Sequence, residues 1–219
     1  YRLLGRPPLI ETKEGIKVWN QWCLDHREQG AAAYQLPEDD HNETADEAVW
    51  DRRGNETEGQ KLLEQMQLMR ALMRPVELWQ PQVQAFARHW QRCKEETGMI
   101  DYADMLSLPL QEGGPAPGRP KIIFADEVQD ASRLMAPLLR LWGSFADTLV
   151  LAADPDQSIY SWAGADPGVF IDHPVPDDYR RVLAQSYRVP RAVHAHAEAY
   201  IRKIKRRLER EYRPRDADG

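Results

Sequence analysis

Three short stretches combine residue types and spacings that could do chemistry. DEVQD (126–130) sets Asp126 and Glu127 side by side directly after the apolar run Ile122-Ile123-Phe124. A carboxylate at a strand tip can hold Mg²⁺, usually through waters, and Mg²⁺ bridges nucleotide phosphates. A second carboxylate beside it can orient and deprotonate an attacking water. On this reading Asp126 takes the metal and Glu127 the water. An acidic first turn favoured by a helix dipole would use the same residues without chemistry, and the motif alone leaves both readings open.

The stretch LAADPDQSIYSWAGA (151–165) repeats the pattern, with Asp154 after the apolar DTLVLAA (147–153) and Gln157 three residues on. Two adjacent parallel strands would bring Asp126, Glu127 and Gln157 around one point. A neutral amide there can sense a terminal phosphate without competing for the metal. Tyr160 and Trp162 follow, either as platforms for single-stranded bases or as a hydrophobic lid over the sheet end. In LAQSYRVP (183–190), Tyr187 can stack on a nucleobase and Arg188 can grip a phosphate oxygen.

The elements that must position these residues read as α/β. Ile16, Trp19 and Cys23 recur at helical spacing over 16–27. Residues 30–58 lose the apolar period and read as a long acidic insertion. From Gln60 the period returns through Leu62, Met66, Met69 and Met73, ending at Pro75. A further helix follows Pro81, with Val83, Phe86, Trp90 and Cys93 on one face and Gly98 as its stop. The Met and Trp stripe predicts core packing between two helices. After IDYADML (100–106) and the loop QEGGPAPGRP, strands alternate with helices. KIIFA predicts a buried strand and Leu134, Leu138 and Leu141 a helix. DTLVLAA predicts a second buried strand, and VLAQ (182–185) a third, shorter one. Pro190 opens a last helix whose apolar face would be Val193, Ala197, Tyr200 or Ile201, Ile204 and Leu208. That leaves Arg202, Lys203, Arg206 and Arg207 outward.

Composition narrows the classes. The 219 residues are 42% hydrophobic and 29% charged, which suits a folded domain. No apolar run approaches the roughly 18 residues of a membrane span. Two separated cysteines, Cys23 and Cys93, imply a reducing, cytoplasmic setting. The net charge of −6 is segregated, with 38–58 acidic and 202–215 basic, so the sum does not exclude DNA. His89 with Cys93, or His194 with His196, offers only two ligands, which do not make a zinc site. A metal nuclease built on Asp126, Glu127 and Asp154 would need a nuclease motif that this sequence does not supply.

The three stretches in this order and spacing resemble motifs II, III and IV of superfamily 1 DNA helicases of the UvrD/Rep/PcrA type. IDYADML resembles the stretch those enzymes carry before motif II, and Tyr1-Arg2-Leu3-Leu4 the tail of an earlier motif. The resemblance covers about half the chain (100–200). It implies a partial P-loop NTPase (RecA-like) parallel sheet with a mainly helical inserted subdomain. Residues 1–15 would end an upstream segment of the first motor domain, and 16–99 would form the insertion. Residues 100–200 would form the later part of that domain, and 201–219 a basic helix end crossing toward a second motor domain. The resemblance further implies that the intact protein uses ATP and Mg²⁺, with Asp126 at the metal and Glu127 activating water. Gln157 would sense the γ-phosphate and couple it to DNA through Tyr160 and Trp162. Tyr187 would stack on adenine, and Arg188 would contact the γ-phosphate.

Two positions depart from the family pattern: Ala153 stands in place of Gly, and Ala163 in place of an Arg near the DNA or the inter-domain link. The sequence contains no Gly-Lys dipeptide, so the phosphate loop is expected upstream, and the chain alone is not expected to hold ATP tightly. The chain thus reads as an internal segment of a helicase acting on single-stranded DNA and duplex junctions. The acidic loop 30–58 is a candidate surface for a protein partner. The rival reading is a motorless relative that docks DNA or a partner through a basic helix at 202–213. Glu209 and Glu211 would instead make that helix an ordinary solvated face.

Overall fold

Helix α1 (Lys13–Asp25) starts where the Thr12 hydroxyl accepts the Gly15 N–H at 3.1 Å, a side-chain cap for an otherwise orphaned donor. The computed structural model describes residues 5, 7–38, 57–172, 175–205 and 207–218. The opening Tyr-Arg-Leu-Leu, most of the acidic stretch (39–56) and Arg206 lie outside the described residues. Helix α2 (Glu58–Ala71) opens with a capping box between Thr57 and Gln60. Helix α3 (Pro81–Thr97) has proline in its first turn and ends at Gly98, whose φ of 68° suits a residue without Cβ.

These three helices share one core. Trp19, Cys23, Leu62, Met66, Val83, Phe86, Trp90 and Cys93 are all buried in it. Trp19 stacks on Trp22 and meets the Trp90 ring edge-on with centroids 4.9 Å apart. Buried Asn20 both donates to the Leu36 carbonyl and accepts the Leu36 N–H, each at 2.8 Å, so the connecting chain leaves no orphan there. The Met and Trp stripe is therefore core, as its spacing predicts. Met73 is the exception: α2 stops at Ala71, and Met73 lies beyond it, exposed.

Burial pushes the Cys23 thiol up to about 12 and the Cys93 thiol up to about 11, so neither forms the reactive thiolate near neutrality. Both are expected to resist a thiol-reactive dye in buffer and to react fully in denaturant. Labelling of either in buffer at the rate of a free thiol would contradict the burial.

A charge cluster ties this core to helix α4 (Asp104–Glu112). Asp101, 1% exposed, pairs with Arg70 and accepts from Lys94 Nζ at 2.8 Å and from Trp90 Nε1 at 3.0 Å. Asp104 completes it, to Lys94 at 2.6 Å and Arg70 at 2.7 Å. Burial alone would raise the Asp101 carboxyl, but the Arg70 and Lys94 cations outweigh it and hold the group below the usual aspartate range. The IDYADML stretch is thus a structural lock between α2, α3 and α4.

Strand β1 (Ile122–Ala125) pairs in parallel with β2 (Thr148–Leu151), Ile122 opposite Thr148 and Ala125 opposite Leu151. Helix α5 (Met135–Ser144) makes the crossover, and its Gly143 lies so close to Leu149 that a Cβ would stand 2.7 Å from that side chain. The sequence predicts both strands buried, and the structure corrects this. Phe124 is 75% exposed, and Ile122 and Val150 are exposed too. A parallel strand is buried only where layers cover both faces, and among the described residues α5 covers one.

A second correction concerns the third strand. The chain is extended at β3 (Gln185–Pro190), which overlaps the expected 182–185 only at Gln185, and β3 pairs in parallel with β4 (Arg213–Arg215) in a separate sheet. Leu183, read as a strand residue, is exposed. Between the sheets lies the one-turn helix α6 (Gly168–Ile171). Helix α7 (Arg191–Ile201) follows Pro190 as predicted but ends at Ile201, so among the described residues no basic helix spans 202–213. Its expected apolar face is not covered, since Val193, Tyr200 and Ile204 are exposed. Tertiary ion pairs explain the ending: Arg207 reaches Asp156 at 3.1 Å, and Arg210 pairs with Asp154 and Asp156. No helix among the described residues is long and apolar enough to cross a membrane.

Candidate functional site at the strand tips

At the end of β1 the chain turns abruptly. Glu127 adopts φ 52° and ψ 37°, the left-handed region, which costs a residue with a Cβ about 1–2 kcal/mol. Strain of this kind persists where surrounding contacts enforce it, and they do so here. Ala152 N–H donates to the Ala125 carbonyl at 2.8 Å, and Val128 N–H to the Ala152 carbonyl at 3.0 Å, carrying the pairing past the strands. A 3-10 turn over Val128–Asp130 follows.

Asp126 is exposed, its Oδ1 accepting the Glu127 N–H at 2.9 Å. Its Oδ2 accepts no hydrogen bond among the described residues. A single accessible carboxylate with a free oxygen suits Mg²⁺, which keeps several waters and takes one or two protein carboxylates. Glu127 is also exposed, and its Oε2 accepts from Gln129 Nε2 at 2.5 Å. Gln129 Oε1 in turn accepts the Asp154 N–H at 2.9 Å.

The loop after β2 is laced to the same turn. Ser158 Oγ donates to the Gln129 carbonyl at 3.3 Å, Ser132 and Ala165 form an antiparallel bridge, and Arg133 pairs with Asp166 at 2.6 Å. Gly164, at φ 92°, packs so close to the end of α2 that a Cβ would meet Ala71 at 2.6 Å. This holds the aromatic loop against the helical core. Tyr160 and Trp162 form an edge-on pair with centroids 6.2 Å apart, and Trp162 is 59% exposed.

The tertiary structure thus brings Asp126, Glu127 and the loop bearing Gln157, Tyr160 and Trp162 to one end of the sheet. Gln157 itself does not face Glu127: its Nε2 donates to Asp154 Oδ2 at 2.6 Å. Tyr187, 87% exposed, and Arg188 stand on β3 in the other sheet, and among the described residues they make no hydrogen bond or ion pair to the strand tips. The carboxylate triad weighed for a nuclease is not assembled, because Asp154 is engaged by Arg210 and Gln157. No group of three or more His, Cys, Asp or Glu residues among the described residues is placed to hold a metal ion. His194 instead stacks on Tyr212.

Three residues with positions in this site escaped the sequence reading. Gln129 lies inside DEVQD, where its type could have raised the question of a partner. Arg207 and Arg210 stand more than fifty residues from their acids, and no local signal connects them.

A parallel strand pair with acids following both carboxyl ends, beside a helical core, is a mixed helix and strand arrangement. A family model described as UvrD/REP helicase N-terminal domain matches residues 23–174, and the chain belongs to this family. It is 27% identical over 138 residues to the putative ATP-dependent DNA helicase YjcD of Bacillus subtilis, a match covering 59% of this chain and 18% of that protein. To DNA helicase II of Escherichia coli it is 29% identical over 160 residues, 66% of this chain and 21% of that one. To the ATP-dependent DNA helicase Rep of Buchnera aphidicola it is 29% identical over 103 residues, 43% and 15% respectively. The matches thus span about a fifth or less of these relatives' lengths.

Proposed function

We propose that this chain is the part of an ATP-dependent DNA helicase that joins the hydrolytic carboxylates to a contact for single-stranded DNA. One observation carries the reading: the in-register pairing of β1 with β2 sets DEVQD against the loop that presents Tyr160 and Trp162. Residues 16–99 serve as a helical subdomain inserted in a P-loop NTPase (RecA-like) motor domain, to which 100–200 contribute. The phosphate loop and second motor domain belong to other parts of the intact protein.

In this reading Asp126 would hold Mg²⁺ through its free oxygen, and the ion would supply charge neutralisation for nucleotide phosphates. Glu127 orients and deprotonates the attacking water. Gln157 reports the terminal phosphate, which requires it to leave its hydrogen bond to Asp154. Tyr187 and Arg188 serve adenine and the γ-phosphate. Because both stand on β3, the nucleotide would have to reach both sheets.

Tyr160 and Trp162 stack on DNA bases. Trp162→Ala in the intact protein is expected to weaken single-stranded DNA binding by about 1–3 kcal/mol, roughly 5- to 150-fold. Fluorescence anisotropy with a labelled oligonucleotide measures this. An unchanged Kd would remove Trp162 from the DNA contact, and an intact protein whose ATPase ignores single-stranded DNA would sink the helicase reading.

A further inference from the structure

We infer that Gln129 is a positioning residue: it holds the Glu127 carboxylate and registers it to the loop that carries Tyr160 and Trp162. The inference rests on the reading of Glu127 as the group that handles the attacking water.

Gln129 is 2% exposed, and its amide is satisfied at both ends. The amide has one workable orientation. Nε2 must face the Glu127 carboxylate, which can only accept, and Oε1 must face the Asp154 N–H, which can only donate. Its carbonyl also accepts from Ser158, so this one residue touches the carboxylate and both ends of the 154–158 turn. A residue that merely filled space at such burial would be apolar, whereas a fully satisfied buried amide specifies geometry.

Gln157 makes no such link, because its side chain donates to Asp154. A shift of the aromatic loop therefore reaches Glu127 through Gln129. Loss of that hydrogen bond would leave Glu127 able to accept a proton but no longer held where the water must sit.

The test uses the intact protein with single-stranded DNA and saturating ATP and Mg²⁺. Gln129→Met keeps the side-chain length and removes both hydrogen bonds. It is expected to lower DNA-stimulated kcat about 10- to 100-fold, with KM for ATP and half-saturating DNA within about twofold. In a Glu127→Gln background, measured under single-turnover conditions, it should cause no further loss, since Gln129 acts only through Glu127. Gln129→Glu keeps size and polarity and still accepts from Asp154, but it turns an oxygen toward Glu127. It should lose kcat to a similar extent, which covers the case in which Gln129→Met fails to fold.

A parental rate in either variant overturns the inference, as does an equal loss in both backgrounds, which would mark a merely structural role. If Glu127→Gln itself hydrolyses ATP normally, the reading of Glu127 falls and the inference falls with it. Parental Gln129 variants beside an inactive Glu127→Gln protein overturn only the role of Gln129.

Discussion

Glu127→Gln in the intact protein is expected to lower DNA-stimulated ATP hydrolysis by roughly 10²- to 10⁴-fold, the usual contribution of a positioned general base. The substitution is nearly isosteric. The new amide oxygen can still accept from Gln129 Nε2, so the turn and its link to Asp154 remain. What is lost is the capacity to take a proton. Asp126 is untouched, and its free oxygen remains available to Mg²⁺, so KM for ATP and the affinity for single-stranded DNA should move by no more than about twofold. Rapid-quench single-turnover hydrolysis separates chemistry from product release. A parental rate constant would show that water is activated elsewhere. A rise in KM with little change in kcat would make Glu127 a binding group instead.

Asp101→Asn is expected to destabilise the helical core by about 3–5 kcal/mol, the range for removing one partner from a buried ion pair. Arg70 and Lys94 would be left with Asp104 alone, and Lys94 is only 4% exposed. The asparagine NH₂ would also have to face either the two cations or the Asp104 N–H, all of them donors with no lone pair to accept. Urea unfolding followed by tryptophan fluorescence reads the change in midpoint, because Trp90 donates to Asp101 directly.

The same cluster sets a pH dependence. The Asp101 carboxyl is lower in the folded state than its ordinary value of about 4, so its contribution is complete above that value. It is lost as the pH falls through the lower folded-state value. Burial raises the Glu11 carboxyl, which acts in the opposite sense, favouring the fold at low pH and losing that contribution as pH rises. The Asp101 share is therefore read as the difference between parent and Asp101→Asn. A parent whose stability did not fall faster on acidification than that of the variant would refute the assignment.

The boundaries of α3 were legible because Pro81 and Gly98 act on the backbone where they stand. β1, β2 and their parallel pairing were legible for a related reason. A short apolar run ending in acids, followed by a helical repeat, leaves little choice but a crossover to a neighbouring strand. Asp126, Glu127, Gln157, Tyr160 and Trp162 were visible by the same logic, since strand ends and turns fix where such residues emerge.

The remainder rested on contacts remote in sequence. Whether Phe124 is buried depends on a layer over its face, which its own neighbours cannot specify. Residues 202–212 have helix-forming composition, yet Arg207 and Arg210 are drawn to Asp156 and Asp154, and the chain closes on β3. For the same reason Gln157 turns to Asp154, and it is Gln129 that reaches Glu127. A side chain three residues past a strand tip can reach several acceptors, and the packing of the turn selects one. Local sterics, caps and periodicity thus determined helices α1 to α3, the β1–β2 pair and where the acids emerge. The tertiary structure decided which of those groups touch, because that choice is made by charge pairs and packing between segments the chain brings together only when folded.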